Sequence, residues 1–178
     1  MTENKINIEY FKTQFGELIL GSFDEQLCLC DWRYRKKREA VDKRLKNGLK
    51  ADFKLESSSV VEETKIQLAE YFQGQREVFD MPVLCVGSDF QKRVWNALLQ
   101  IPFGKTTSYL ELSRALQNEK AIRAVASANG ANAISIIVPC HRVIGSDGKL
   151  VGYAGGLNAK MKLLNIEKAL NLDQLSLF

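Results

Sequence analysis

Pro139-Cys140-His141-Arg142-Val143 follows the apolar run Ile134-Ser135-Ile136-Ile137-Val138, and the reading of this junction decides the architecture of the C-terminal half. The run has the composition of a buried strand closed by a proline. On that reading the strand ends in a thiol beside an imidazole, with a guanidinium one residue further on. The thiolate is the reactive form of cysteine, and a neighbouring base or cation lowers the thiol pKa toward neutrality. The pair therefore points to nucleophilic chemistry at Cys140, with a buried structural cysteine beside a capping histidine as the alternative. His141 is the only histidine in the chain, and Cys140 is one of four cysteines.

The segments before the junction read as helices. Ser88-x-x-Gln91 has the form of a capping box before a helix that carries Phe90, Val94, Trp95 and Leu98 on its apolar side. Pro102-Phe103-Gly104 breaks the chain, and Ser108-x-x-Glu111 starts a second helix running to about Leu116. A tight turn at Gln117-Asn118 leads into a third helix, from roughly Glu119 to Asn129, rich in small side chains. Ile122, Val125 and Asn129 mark its inward face, and Arg123, Ser127 and Gly130 mark another. Two short helices joined by a tight turn have the layout of a helix-turn-helix. A smooth face with one arginine suits close approach to a groove, and close helix packing through alanine is the other reading.

The N-terminal half opens with three strand patterns, around Ile6 to Tyr10, Leu18 to Leu20 and Leu27 to Trp32. Arg33 to Lys46 is basic and partly helical, either a solvated face or a phosphate contact. Lys50 to Ser59 reads as a loop, Val60 to Phe72 as a helix, and Phe79 to Ser88, with Pro82 and Gly87, as a linker. The expected division is a domain over 1–85 and a second over 86–178. Residues 1–85 carry 14 Lys/Arg against 15 Asp/Glu, and residues 86–178 carry 11 against 6. The positive excess of the second half fits a polyanionic partner. No run of 18 apolar residues and no signal-peptide pattern is present, so no membrane association and cytoplasmic residence are expected. Cysteines 28, 30, 85 and 140 form no disulfide framework. Cys28 and Cys30 are read as facing opposite sides of a sheet, which argues against a shared metal; no metal and no cofactor is expected.

Pro139-Cys140-His141-Arg142-Val143 resembles the active-site signature of the O6-alkylguanine-DNA alkyltransferases. The resemblance extends to Phe90-Gln91, Val94-Trp95, Ile101-Pro102-x-Gly104, Thr106-x-Ser108-Tyr109, Ala121-x-Arg123-Ala124-Val125, Gly152-Tyr153-x-Gly155-Gly156-Leu157 and Glu167. It covers roughly residues 88 to 168; the first 80 or so match only in length and position. It implies a ribonuclease-H-like α/β N-terminal domain and a mainly helical C-terminal domain with a helix-turn-helix. It also implies repair of duplex DNA by stoichiometric alkyl transfer from O6-alkylguanine to Cys140, without turnover, by a monomer.

By the same resemblance, Cys140 is the nucleophile, Glu167 pairs with His141, and His141 relays through water to the thiol. Asn132 braces the turn before the cysteine. Arg123 fills the space left by a flipped nucleotide, with Ala124 and Ser127 beside it in the minor groove, and Tyr109 helps rotate the nucleotide's phosphate. Val143, Tyr153 and Ala154 help form the guanine pocket. Flipping is required in any case, because a thiol cannot reach an alkyl carbon inside the base stack. Glu167 is also singled out without the resemblance: in a helix from about Asn158 to Leu170 it shares a face with Leu163, Leu164 and Leu170, where a carboxylate must be paired.

Ala133 and Ala154 depart from the family pattern, where many members have proline and some have serine. These departures imply a looser turn and one fewer hydrogen bond to the lesion. O4-alkylthymine stays open as a second substrate. Two other functions compete: a helix-turn-helix regulator with a structural Cys140, and a cysteine hydrolase that turns over through an acyl intermediate.

Overall fold

The fold is given by a computed structural model that describes residues 4–170. Strands β1 (Lys5–Thr13), β2 (Gly16–Phe23) and β3 (Gln26–Trp32) form an antiparallel meander at the three predicted positions. The β2–β3 hairpin turns on Asp24 and Glu25, both with positive φ, the backbone of a two-residue turn matched to strand twist. Helix α1 (Arg38–Leu49) then leads to β4 (Asp52–Leu55), which pairs in parallel with β1, so the sheet order is β3-β2-β1-β4. A loop is predicted there. The sequence hides β4 because an edge strand needs only backbone pairing, and Leu55 stays exposed.

Side-chain alternation sorts the two faces of the sheet. Ile6, Ile8 and Ile19 pack with Val41 and Leu45 of α1, whereas Leu18 and Leu20 pack with Val61, Leu68 and Tyr71 of α2 (Ser59–Phe72). Cys28 and Cys30 do part between these two clusters, but not by alternation, which would put residues i and i+2 on one face. A bulge separates them: Gly21 pairs with Leu29 and Ser22 with Leu27, leaving Cys28 unpaired in the register.

The segment predicted as a linker is ordered against the sheet. Leu27 N–H donates to Pro82 O, Leu84 N–H donates to Leu27 O, and Met81 is buried. Further along β3, Cys30 N–H donates to Ala133 O and Ser135 N–H to Cys30 O. Two later stretches of the chain, one before and one after the expected boundary at 85, thus cover an edge that would otherwise be open.

Beyond the linker lie α3 (Asp89–Leu98), β5 (Thr107–Ser108), α4 (Tyr109–Ala115), α5 (Ile122–Gly130), β6 (Val143–Ile144) and α6 (Gly156–Ile166). Both predicted capping boxes are formed, Ser88 with Gln91 and Ser108 with Glu111. β5 and β6 make a small parallel pair that the helical reading of this half leaves out. The third predicted helix begins as a 3₁₀ turn, Glu119–Ala121, and becomes α-helical at Ile122. Ile122 is exposed and not inward; Val125, Ala128 and Asn129 form the buried face. One core runs through both halves, joining Leu18, Leu68 and Tyr71 to Trp95, Val125, Val138 and Leu163. No helix among the described residues is long and apolar enough to cross a membrane.

Candidate active site

Residues 134–138 are buried as expected but are not a strand. Ile134 makes a single bridge to Cys30, and the chain then turns twice. Ile137 N–H donates to Ser135 O around Ile136, whose φ is +75°, the tight γ-turn rarely adopted by a β-branched residue. Cys140 N–H donates to Val138 O around Pro139 at φ −81° and ψ 62°, the inverse γ-turn, whose φ the proline ring presets. Cys140 to Arg142 complete a short 3₁₀ turn. An apolar run cannot distinguish these turns from a strand, because both are buried and both accept Ile and Val.

Asn132 holds this double turn. Its Nδ2 donates to Val138 O at 2.9 Å and Ile134 O at 3.4 Å, and its Oδ1 accepts from Ile134 N–H at 2.9 Å. Ala133, expected to loosen the turn, is itself buried and uses its carbonyl to bind Cys30. Asp31 of β3 adds a brace from below: it accepts from Ser135 Oγ at 3.0 Å and from Arg35 at 2.9 Å. Arg35 in turn donates to the carbonyls of Gly130 and Asn132, and Arg44 donates to Ala131 O. The exposed carbonyl end of α5 is thus capped by cations from the N-terminal half. The basic run is therefore not wholly a solvated face: Arg35 is buried, whereas Tyr34, Lys36 and Lys37 are exposed.

Cys140 lines a cavity of about 950 Å³ together with Tyr109, Asn132, Tyr153 and Ala154, and Tyr34 to Lys37 form part of its rim. Val143 lies behind this wall, fully buried. Arg123, Ala124 and Ser127 are exposed on α5, outside the cavity lining. Tyr109 accepts a hydrogen bond from Asn129 Nδ2 at 3.4 Å, and Tyr153 Oη accepts one from Trp32 Nε1 at 3.1 Å. Gly155 packs against that indole so closely that an added Cβ would lie 2.5 Å from it, which ties the glycine loop to β3.

The sequence leads one to expect a thiol with a lowered pKa, and the resting structure has the reverse. Burial pushes the Cys140 thiol up; the Asn132 amide, Lys160 and Arg35 pull it down, but Asp31 adds to the rise. Arg142, two residues on in sequence, turns away from the sulfur to Glu167. It donates to Glu167 Oε2 from Nε at 2.8 Å, to Oε1 from Nη2 at 3.1 Å and to Ile101 O from Nη1 at 2.5 Å.

His141 and Glu167 are both buried and joined by a 2.7 Å bond from Nε2 to Oε1. A carboxylate can only accept, so the ring proton sits on Nε2 and the Nδ1 lone pair is left free; Nδ1 has no hydrogen-bond partner among the described residues. Burial pushes the His141 pKa down against the opposing pull of Glu167, which favours the neutral ring. Glu167 lies one residue past the end of α6, not inside a helix reaching Leu170 as predicted. Burial pushes its carboxyl up, but His141 and Arg142 outweigh this and hold it at about 2. Tyr71 Oη and Gly104 N–H complete its donors at 2.7 and 3.4 Å.

Sequence reasoning passes over Lys160, although the signal was available: it shares a helix face with Leu163 and Leu164, the argument that picks out Glu167. Its buried ammonium donates to the carbonyls of Val143 at 2.6 Å, Val151 at 2.8 Å and Gly152 at 3.3 Å. Burial lowers its pKa to about 8. It fastens the glycine loop to the strand after the cysteine. Among the described residues no group of three or more His, Cys, Asp or Glu could hold a metal ion.

Residues 89–169 match the family described as 6-O-methylguanine DNA methyltransferase, DNA binding domain. The chain is 41% identical over 157 residues to the methylated-DNA–protein-cysteine methyltransferase of Methanosarcina acetivorans, spanning 88% of this chain and 95% of that protein. The protein of the same name from Mycobacterium bovis is 53% identical over 112 residues, spanning 63% and 68%. The fold matches the crystal structure of Mycobacterium tuberculosis OGT in complex with DNA with a TM-score of 0.77, at 37% identity over 93% of both chains. The shared architecture is a sheet region joined to helices.

Proposed function

This chain belongs to the methylated-DNA–protein-cysteine methyltransferase family, and on that premise we propose how its residues divide the work of the reaction. The protein repairs DNA: it takes the alkyl group of O6-alkylguanine in duplex DNA onto its own cysteine, once per molecule. Cys140 is the acceptor. The observation that carries this assignment is its position on the wall of a cavity of about 950 Å³, with the buried His141–Glu167 pair behind it.

A protonated resting thiol suits a protein that must survive until it meets a lesion. When the flipped base fills the cavity, His141 Nδ1 takes the thiol proton through a bridging water, and Glu167 stabilises the imidazolium that forms. The sulfur then attacks the alkyl carbon, a C–S bond forms, and the carbon–O6 bond breaks with its electron pair passing to guanine. The thiol's proton ends on the restored guanine, which stays in the DNA, so no co-reactant is consumed. The thioether has no easy leaving group, which ends the protein's working life. Asn132 holds the cysteine turn, and Val143, Tyr153 and Ala154 shape the guanine site.

We read α4, the turn at Gln117-Asn118 and α5 as a helix-turn-helix that lays α5 in the minor groove. Support comes from the exposure of Arg123, Ala124 and Ser127 beside the buried Val125 and Asn129. Tyr109, half-buried at the start of α4 and lining the cavity with Cys140, is assigned to rotating the nucleotide's phosphate. The N-terminal half reads as ribonuclease-H-like, on its three antiparallel strands and a parallel fourth. DNA contact and alkyl transfer fall within 86–178, although the core crosses that boundary. Four free cysteines support residence in the cytoplasm.

Mass spectrometry after incubation with a duplex containing O6-methylguanine tests the assignment. One methyl group is expected on the Cys140 peptide and none at Cys28, Cys30 or Cys85. Cys140→Ser abolishes transfer and keeps DNA binding, because an alcohol has a far higher pKa than a thiol. Label elsewhere, or more than one equivalent of guanine repaired per protein, would refute it.

A further inference from the structure

The carboxylate behind the histidine has a partner that comes from the other half of the chain. Tyr71 is on α2, fully buried, with its ring edge-on to Phe103 at 6.4 Å and 5.5 Å from Phe79. Its hydroxyl donates to Glu167 Oε1 at 2.7 Å, the same oxygen that accepts from His141 Nε2 at 2.7 Å. Packing alone does not call for that hydroxyl, since phenylalanine would fill the same aromatic cluster. Burial, then the charge of Glu167 and the bond to it, push the phenol pKa up, so Tyr71 stays a neutral donor throughout the working pH range.

A donor fixed on Oε1 does two things to the relay. It sets the direction of the carboxylate, and with it the ring plane of His141. It also draws off part of the negative charge that would otherwise hold an imidazolium too firmly. Partners that hydrogen-bond a functional group's own ligand commonly act in this way. We propose that Tyr71 is a positioning residue for alkyl transfer: through Glu167 Oε1 it orients His141, so the N-terminal half completes the proton relay to Cys140. This rests on the alkyl-transfer reading above.

The groups facing the relay are few. Glu167 meets His141, Arg142, Tyr71 and Gly104 N–H; His141 meets Glu167, the charges of Arg142 and Lys160, and the ring of Tyr153. Only the hydroxyl changes in Tyr71→Phe. Oε1 keeps His141 Nε2 and Arg142 Nη2 but loses one donor, so it becomes more basic and stabilises the imidazolium, which raises the His141 pKa and reduces the neutral base at any given acidic pH.

The test is single-turnover methyl transfer by the full chain from a duplex containing O6-methylguanine, measured against pH at increasing DNA concentration. For Tyr71→Phe the saturating rate is expected to fall about tenfold, with its acid limb moved to higher pH and the half-saturating DNA concentration unchanged. Incorporation of 3,5-difluorotyrosine at position 71 supplies a stronger donor in the same space, and the limb is expected to move to lower pH. This second protein also decides the matter should Tyr71→Phe fail to fold. Acid limbs that superimpose on that of the parent protein, or that move the same way in both variants, would overturn the proposal. A parent protein that places no methyl group on Cys140 would instead overturn the alkyl-transfer reading, before any variant is compared.

Discussion

At Glu167 one buried carboxylate collects donors from four residues: His141 and Arg142 of the cysteine turn, Tyr71 of α2 and the backbone of Gly104. Its pKa is about 2 in the folded protein against an ordinary value of 4.5, despite the upward push of burial. A depressed folded value means that the unfolded chain binds a proton the folded chain does not, so stability rises with pH across this window. The contribution is complete above pH 4.5 and is lost as pH falls through about 2; the difference corresponds to roughly 3 kcal/mol. Urea unfolding between pH 5 and pH 2 should therefore steepen in this range, and Glu167→Gln should flatten it. The same variant should cost about 3–5 kcal/mol at neutral pH, because Arg142 loses its buried counter-charge. An unchanged slope below pH 4.5 would show that other carboxylates set the acid limit.

On the proposed reading helix α5 is the element that meets DNA, and its carbonyl end and its outer face are treated differently. The carbonyl end is held by Arg35 and Arg44, which leaves the helix little freedom to move relative to the cysteine turn. The exposed face is small and carries Arg123, which on the proposed reading enters the stack only where a base has left it. Loss of such a contact should disfavour the flipped state by about 1.5–3 kcal/mol. Arg123→Ala should then slow repair of duplex DNA by about tenfold to a hundredfold. Free O6-benzylguanine, which needs no flipping, should react nearly as before. Equal losses with both substrates would assign Arg123 to the fold or to thiol activation.

Across the whole molecule, charge is divided unevenly. Residues 1–85 sum to −1, from 14 cations and 15 anions, and residues 86–178 to +5, from 11 and 6. The N-terminal cations are partly consumed inside the structure, since Arg35 and Arg38 both pair with the buried Asp31. DNA affinity should accordingly be chiefly electrostatic, and log affinity should fall linearly with log salt concentration. Titrations on unrelated undamaged duplexes should agree closely. Differences above about 2 kcal/mol, the scale of a specific base pair, would favour direct base reading and a regulator.

The three-strand meander, the two capping boxes, the helices and the pairing demand on Glu167 were all legible in the chain, because each follows from alternation, spacing or a cap within a few residues. The order of motifs from Phe90 to Glu167 was equally legible, and so was the chemistry it implies. The double γ-turn, β4, the ordered stretch over 79–88 and the protonated resting thiol were not. Each depends on what lies opposite: β3 shows one open edge to two distant segments, and burial outweighs the cations around Cys140. The site itself is assembled over long separations, 96 residues from Tyr71 to Glu167, 97 from Arg35 to Asn132 and 104 from Asp31 to Ser135. Local sequence sets what a residue can donate or accept, and only the packed core, shared by both halves, decides which partner it meets.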